Sequence, residues 1–418
     1  MIETNFKHTD IGPIPHDWEV KRLKDVSSTA SGGTPSRNNA DYYKGCIPWF
    51  TTGELRDCVL CDSIEHISKE AILNSSAKEF KEGTILMAMY GATIGKLGIL
   101  SQSSTSNQAC CALGCEMINN IFLFYELLFN RKYIIEKGFG AAQPNISQNI
   151  VRNLFIVVPP LAEQEAIGKA LSDIDGLIEG LRKLIEKKRN IKQGAMSRLL
   201  SGSLRLPGFN KPWVTRTLGE IGHLIPNNSL SWEYLTNSGK VANIHYGHIL
   251  TRFGAIVDVS YTQLPYVEKN SEARFLKGNM ANDGDIIFAD TAEDDTVGKA
   301  IELINIGDKH IVSGLHTFWF RPDVEFAHSF LGYAVNGEAF HSQIPLLATG
   351  TKVSSISKPN LLKLELHYPT DLAEQSAIAK VLTDMDAEIE GLEKKLAKYE
   401  QVKQGMMKQL LTGKIRLI

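Results

Sequence analysis

Residues 161–206 read LAEQEAIGKALSDIDGLIEGLRKLIEKKRNIKQGAMSRLLSGSLRL, and residues 372–417 read LAEQSAIAKVLTDMDAEIEGLEKKLAKYEQVKQGMMKQLLTGKIRL. They align without a gap at an offset of 211 residues, Leu161 falling on Leu372, and roughly half of the positions are identical. A self-match of this length marks an internal repeat. Inside each copy apolar residues recur at alternating steps of four and three: Ile167, Leu171, Ile174, Ile178, Leu181 and Ile185, then Ile378, Leu382, Met385, Ile389, Leu392 and Leu396. This is a narrow helical seam with a charged far face, the pattern of a coiled coil. Asp371 with Glu374 reads as a capping box at the second start, and Gly202 and Gly413 read as helix stops. Each helix then runs about 40 residues, or roughly 60 Å.

So long a helix with so thin an apolar stripe is not stable alone, and its simplest partner is the other copy rather than its own domain. The second globular segment joins the end of the first helix to the start of the second, and domain termini usually lie close together. The helices are therefore expected to run antiparallel, with the two globular domains at opposite ends and a pseudo-two-fold axis relating the halves. The expected fold class is α+β. A globular α/β domain spans residues 1–160, a spacer helix 161–206, a second globular α/β domain 207–370 and a second spacer helix 371–418.

The repeat continues more faintly into the domains. Trp18, Leu23, Asp25 and Val26 match Trp213, Leu218, Glu220 and Ile221, while Gly140, Ile146, Ser147, Leu154 and Pro159 match Gly350, Ile356, Ser357, Leu364 and Pro369. In the middle, GTILMAMYGATIGK from Gly83 parallels GDIIFADTAEDDTVGK from Gly284. Each predicts a strand, a loop and a Gly-Lys pair. Elsewhere the domains share little, which suits similar scaffolds with different recognition tasks.

Composition agrees with two soluble domains: 418 residues exceed a single core, and 43% hydrophobic with 22% charged residues is ordinary for globular proteins. The most apolar run, Ile121 to Phe129, is broken by Glu126 and is too short to span a bilayer. With no recognisable signal peptide, a cytoplasmic protein is expected. Cys46, Cys58, Cys61, Cys110, Cys111 and Cys115 are expected as buried free thiols rather than disulfides or a zinc site, because only Cys58 and Cys61 show metal-ligand spacing. The net charge of −2 lacks the basic footprint of a nucleic-acid binder.

The Gly-Lys loops are not phosphate-cradling P-loops. Gly91 is too close to Gly95, position 293 is Glu, and Leu97 and Ala300 stand where Ser or Thr would bind magnesium. Lys96 and Lys299 are read either as contacts to DNA phosphate or as solvated turn residues. SGGTPSRNN, Ser31 to Asn39, is a small polar loop leading into the aromatic run IPWF, and its Arg37 has the chemistry that reads guanine. In the second domain Asn243, His245, Tyr246 and His248 occupy the counterpart region, where H-x-x-H without a third ligand is a weak metal pattern. The polar tails GAAQPNISQN and ATGTKVSSIS supply further donors, whereas Asp294 and Asp295 would repel phosphate.

The candidates for DNA contact are therefore Ser31, Gly32, Thr34, Ser36, Arg37, Tyr90, Lys96, Gln143 and Asn145 in the first domain. In the second they are His245, Tyr246, Thr291, Lys299, Thr349, Thr351 and Lys352. No catalytic residue and no metal site is assigned. A DNA adenine methyltransferase would need a cofactor-binding glycine motif and an Asn/Asp-Pro-Pro-aromatic motif, and the only Pro-Pro lies between Val158 and Leu161.

The SGGTPS opening with IPWF, the GATIGK loop, VVPPLAEQEAI, KQGAMSRLLSG and their second-copy partners resemble the specificity subunit of type I restriction-modification systems along the whole chain. The second copy reads YPTDLAEQ, without the double proline. The resemblance implies a non-catalytic subunit whose two target-recognition domains each read half of a bipartite site in double-stranded DNA. It implies helices that set the gap and dock two modification (methyltransferase) subunits, and restriction/translocase subunits that join for cleavage. S-adenosylmethionine would sit on the partner subunits, with no cofactor on this chain. The alternatives are a coiled-coil adaptor without direct DNA contact and a stand-alone DNA methyltransferase with an unrecognised site.

Overall fold

The computed structural model describes residues 5–138, 145–276, 278–350 and 352–417. The chain forms two units, one of residues 1–182 with 394–418 and the other of residues 183–393. Each holds one globular domain, part of the helix after it and part of the other long helix. The long helices run Leu161–Leu200 and Leu372–Leu410, 40 and 39 residues. Gly202 and Gly413 lie just past their ends at φ +70° and +67°, the left-handed backbone that stops a helix.

The domains repeat one architecture. In the first, a five-stranded sheet runs in the order Ser28–Ser31, Cys110–Gly114, Ile85–Ala88, Leu97–Leu100, Cys58–Leu60. In the second the order is Gly222–Ile225, Thr317–Pro322, Ile286–Ala289, Ala300–Ile304, Ile256–Asp258. Both are antiparallel except for the last pairing, which is parallel. A second sheet shares three strands between the domains, including one parallel pair each, Ile47–Phe50 with Ser104–Ser106 and Val241–Ile244 with His310–Ser313. Its fourth strand differs. Glu79–Phe80 is added beyond Ser104–Ser106 in the first domain, whereas Leu235–Thr236 is added beyond Tyr266–Val267 in the second.

The Gly-Lys segments close hairpins between central strands. Gly95 and Gly298 take φ of +74° and +82°, and their amides donate to Ala88 and Ala289, so the left-handed turn needs glycine in both copies. A two-stranded ribbon ties each domain's start to its end: Glu19–Arg22 pairs with Phe155–Val158, and Trp213–Thr217 with Glu365–Pro369. The termini of the second domain are thus adjacent, the premise from which antiparallel helices follow.

Within each unit the helix segments do run antiparallel. In the first, Asp175 pairs with Lys403, Arg182 with Glu400 and Glu163 with Arg416 at 2.6–2.7 Å. In the second, Lys188 pairs with Glu388, Arg189 with Glu393, Lys192 with Asp386 and Arg205 with Glu374.

Two expectations need correction. The first rungs of each seam do not simply meet the other helix: Ile167 and Leu171 are fully buried in the core of their own domain with Trp18 and Phe122, where Leu410 and Leu411 join them. Ile378 and Leu382 likewise enter the core around Phe330 and Tyr333 with Met196, Leu199 and Leu200. Beyond those rungs, Ile174, Ile178, Leu181, Ile185 and Ile389 are buried, while Met385, Leu392 and Leu396 are half-buried. A domain with an open apolar face removes more of a helix from water than a narrow seam can. Second, Asp371 accepts from the Ala373 amide as an N-cap, but Glu374 does not close the box. It is fully buried, and its carboxylate takes both Nε and Nη2 of Arg205. A buried carboxylate without a cation would be far costlier than an unfinished cap.

The repeat explains the whole LAEQ motif. Glu163 answers Glu374, binding Arg416, the repeat mate of Arg205, and accepting from Trp18 Nε1 at 2.9 Å. Gln164 and Gln375 each donate to the proline carbonyl before the helix, Pro159 and Pro369, at 2.8 Å. Each accepts a backbone amide from its own domain, Asn119 and Ala327. About three turns further on, Tyr125 donates to Asp175 and Tyr333 to Asp386, both at 2.7 Å, and Lys403 and Lys192 complete the pairs. These residues lock each domain to both long helices.

Candidate nucleic-acid interface

The first-domain loop is firmly built into its scaffold. A Cβ on Gly32 would stand 2.2 Å from the Ser106 carbonyl oxygen, and Trp49 Nε1 donates to the Gly33 carbonyl at 2.9 Å. The glycines are there for close approach of the loop to the strands. Ser31 donates to Gln148, and Thr34 to Gln108 in the turn between Ser104–Ser106 and Cys110–Gly114. Ser36 and Arg37 are exposed.

The candidate cations change role. Arg37 gives both guanidinium nitrogens to Glu65 and lies 4.1 Å from the Tyr43 ring centroid, so its fork is filled rather than open to guanine. The Glu65 carboxylate also holds that guanidinium more firmly protonated than usual. Lys96 is paired although its side chain is 43% exposed: its Nζ is 2.9 Å from Asp57, which also binds Arg131 and the Leu97 amide. Those donors hold the Asp57 carboxyl below its ordinary range despite burial. Lys299 donates to the Leu250 carbonyl at 3.0 Å, and its partial burial lowers its pKa. Glu65 and Asp57 neutralise charges that the sequence displays as unpaired, and the Leu250 carbonyl takes up one donor of Lys299.

The polar tails do reach the hairpin loops. Tyr90, 40% exposed, forms a β-bridge with exposed Asn145, and Thr291 pairs with Ser355 at the matching place in the second domain. Thr291 itself is buried and donates to the Ser354 carbonyl. Thr349 is exposed and exchanges backbone bonds with Ser355, and Lys352 is exposed. Gln143 and Thr351 lie outside the described residues. Asp294 is exposed and accepts from Thr296 within its own turn, and Asp295 is exposed beside it.

The H-x-x-H pair is structural. His245 is buried and caps the helix Tyr246–Thr251 by accepting from the Gly247 amide. His248 stacks on Trp232 at 4.1 Å, and burial pushes its pKa down to about 4. Among the described residues no group of three potential metal ligands occurs. The cysteines are free thiols, but only in part buried: Cys110 and Cys111 lie inside, their pKa values pushed up to about 12 by burial, whereas Cys46, Cys58 and Cys61 are exposed.

The sequence reading missed a polar cleft of about 570 Å³ in the second domain. The turn Gly314-Leu315-His316 joins His310–Ser313 to Thr317–Pro322, where Gln108 stands in the first domain. Asn227 Nδ2 donates to the Gly314 and Thr317 carbonyls, Thr317 Oγ1 to Gly314, and Asn228 Nδ2 to Ser313. His316 sits at φ +54° in the left-handed region, its Nδ1 3.3 Å from Asp290 and its ring edge-on to Tyr246. The Asp290 amide donates back to the His316 carbonyl at 3.2 Å. Arg274 and Lys358, both exposed, line the same cleft. One signal was available: Asn227 follows Trp213 at the same 14-residue spacing by which Gly32 follows Trp18.

A family model described as the type I restriction modification DNA specificity domain matches the chain twice, over residues 15–187 and 210–401. The chain is 28% identical to the MjaVIII specificity subunit of a type I restriction enzyme from Methanocaldococcus jannaschii, over 99% of this chain and 97% of that protein. A putative MjaX specificity subunit of the same organism is also 28% identical, with the same coverage. The S subunit of the type I restriction-modification system of M. genitalium shares the fold at a TM-score of 0.60 and 15% identity, over 98% of this chain and 97% of that one. Two matched domains, each clamped to the paired helices by the same Glu-Arg and Tyr-Asp-Lys contacts, give one conclusion: the chain belongs to the type I restriction-modification specificity family, as a non-catalytic subunit with two target-recognition domains.

Proposed function

We propose that each domain reads one half of a bipartite site in double-stranded DNA, and that the paired long helices set the gap between the halves. The same helices dock two modification subunits, which bring S-adenosylmethionine and perform the methyl transfer, while this chain holds no cofactor. Restriction/translocase subunits join them for cleavage. The assembly works in the cytoplasm. No described helix is long and apolar enough to cross a membrane.

The observation that carries the reading is duplication with divergence. The five-stranded sheet, three strands of the second sheet and the clasp to the helices repeat, whereas the matching surface turns carry Thr34 and Gln108 in one domain and Asn227 and His316 in the other. A net charge of −2 is consistent with it, since partners that embrace DNA can supply the sequence-independent phosphate attraction.

The test is methylome sequencing with the chain expressed beside its modification partner. Exchanging residues 207–370 for a relative's second domain is expected to change one half-site and leave the other. A change in both halves, or methylation without sequence preference, refutes the reading. Methyl transfer by the purified chain alone would favour a stand-alone methyltransferase, and absence of any DNA contact in the complex an adaptor.

A further inference from the structure

We propose that the second-domain cleft reads a base edge through His316, and that Arg274 and Lys358 hold the flanking phosphates. The inference rests on the proposed function and names the site where the second half-site is read.

Three observations converge. First, His316 is presented rigidly. The turn that bears it is bonded from both sides by Asn227, Asn228 and Thr317, and its own carbonyl accepts from the Asp290 amide. Histidine is one of the few non-glycine residues that enter the left-handed region with any frequency, and here that backbone carries its ring to the mouth of the cleft. Second, the ring is oriented. Nδ1 faces the Asp290 carboxylate, while Nε2 has no partner among the described residues. In the neutral ring, a carboxylate on Nδ1 selects the tautomer that carries its proton there, which leaves Nε2 as an acceptor. In the major groove its complement is an exocyclic amino group, N6 of adenine or N4 of cytosine. Third, the charges are arranged in keeping with this. Asp290 is turned inward, its side chain 19% exposed and occupied by His316, whereas Arg274 and Lys358 are exposed on the same cleft. Unlike Arg37, Lys96 and Lys299, neither has a hydrogen bond or ion pair to an acid or a carbonyl among the described residues: Arg274 lies over the ring of Phe275 and Lys358 over that of Phe318, with Lys358 near enough to Asp290 to favour its carboxylate.

The first domain uses the same place differently, which is what a second specificity on one scaffold requires. There the turn carries Gln108, bound to Thr34, with no histidine and no aspartate beneath it.

The test uses the full chain with its modification partner. His316→Gly keeps the left-handed turn, and His316→Asn, which also tolerates it, serves as the second variant. Each is expected to relax one position of one half-site by on the order of 10-fold to 100-fold, leaving the gap and the other half-site unchanged. Lys358→Gln is expected to weaken binding to all sites alike and to lower the slope of log affinity against log salt by about one. Unchanged discrimination at every position in both His316 variants overturns the base contact, and an unchanged salt slope overturns the phosphate contact. A wild-type complex that methylates no bipartite site overturns the proposed function and this inference together, whereas a bipartite wild type with indifferent variants overturns the inference alone.

Discussion

Truncating Arg416 to alanine removes the one cation bound to Glu163 among the described residues, leaving a carboxylate whose side chain is fully buried. In the intact clasp Glu163 accepts Nε and Nη2 of Arg416 at 2.7 and 2.8 Å and Trp18 Nε1 at 2.9 Å, while Asp17 holds the outer edge of the guanidinium. After truncation one indole donor is left for a buried charge. Breaking a buried pair from one side costs about 3–5 kcal/mol, most of it the desolvation of the abandoned ion. Arg189→Ala provides the contrast. Its pair with Glu393 is 63% and 43% exposed, and a solvated pair is worth about 0.2–1 kcal/mol. Urea unfolding followed by tryptophan fluorescence is expected to show a loss for Arg416→Ala several times that for Arg189→Ala. Glu163→Gln in the Arg416→Ala background is expected to recover much of the loss, because a neutral amide can still accept from Trp18. Equal losses for Arg416→Ala and Arg189→Ala, or no recovery by the glutamine, would refute the argument that burial gives the clasp its weight.

The same clasp in the other unit predicts that Arg205→Ala is costly too, since Glu374 is as deeply buried; a shift under about 1 kcal/mol on unfolding would count against it. Glu126 is fully buried and its carboxyl is pushed up to about 8 by burial, against an ordinary value of 4.5. Below 4.5 both folded and unfolded chains carry the proton, so nothing is lost; as pH rises towards 8 only the unfolded chain ionises, and the fold loses on the order of several kcal/mol. Glu126→Gln should therefore stabilise the protein at pH 8 far more than at pH 5, and parallel stability curves for the two proteins would exclude this. Inserting about one helical turn between Leu181 and Lys192 is expected to widen the gap between half-sites while both halves stay the same, and an unchanged gap in the methylome would reject the helices as the ruler.

What could be read from the sequence was what repeats at short range. The seam from Ile167 to Ile185 and its copy, the stops at Gly202 and Gly413, and the hairpins closed at Gly95 and Gly298 are local, and duplication displays each of them twice. Antiparallel pairing needed one further step, the closeness of domain ends, which the ribbon of Trp213–Thr217 with Glu365–Pro369 supplies. Charge partners could not be read in this way. Glu163 meets Arg416 and Arg205 meets Glu374 across most of a domain or more, and Arg37, Lys96 and Lys299 look free until Glu65, Asp57 and the Leu250 carbonyl are placed beside them. A lone sequence gives the charge of a side chain but not its neighbour, so it overcounts available cations.

The cleft was hidden for a related reason, since it is made by Asn227 reaching across to a three-residue turn near His316 and by a backbone conformation that no motif announces. Yet the repeat did hold a usable signal, read in the opposite sense from the scaffold. Positions identical in both copies, such as Glu163 with Glu374 or Gln164 with Gln375, report the contacts that hold a domain on its helices. If the domains read two different half-sites, as proposed, the reading site has to lie where the copies agree in backbone and disagree in chemistry. That condition selects the turn after the parallel strand pair, where Thr34 binds Gln108 in one domain and Asn227 braces His316 in the other.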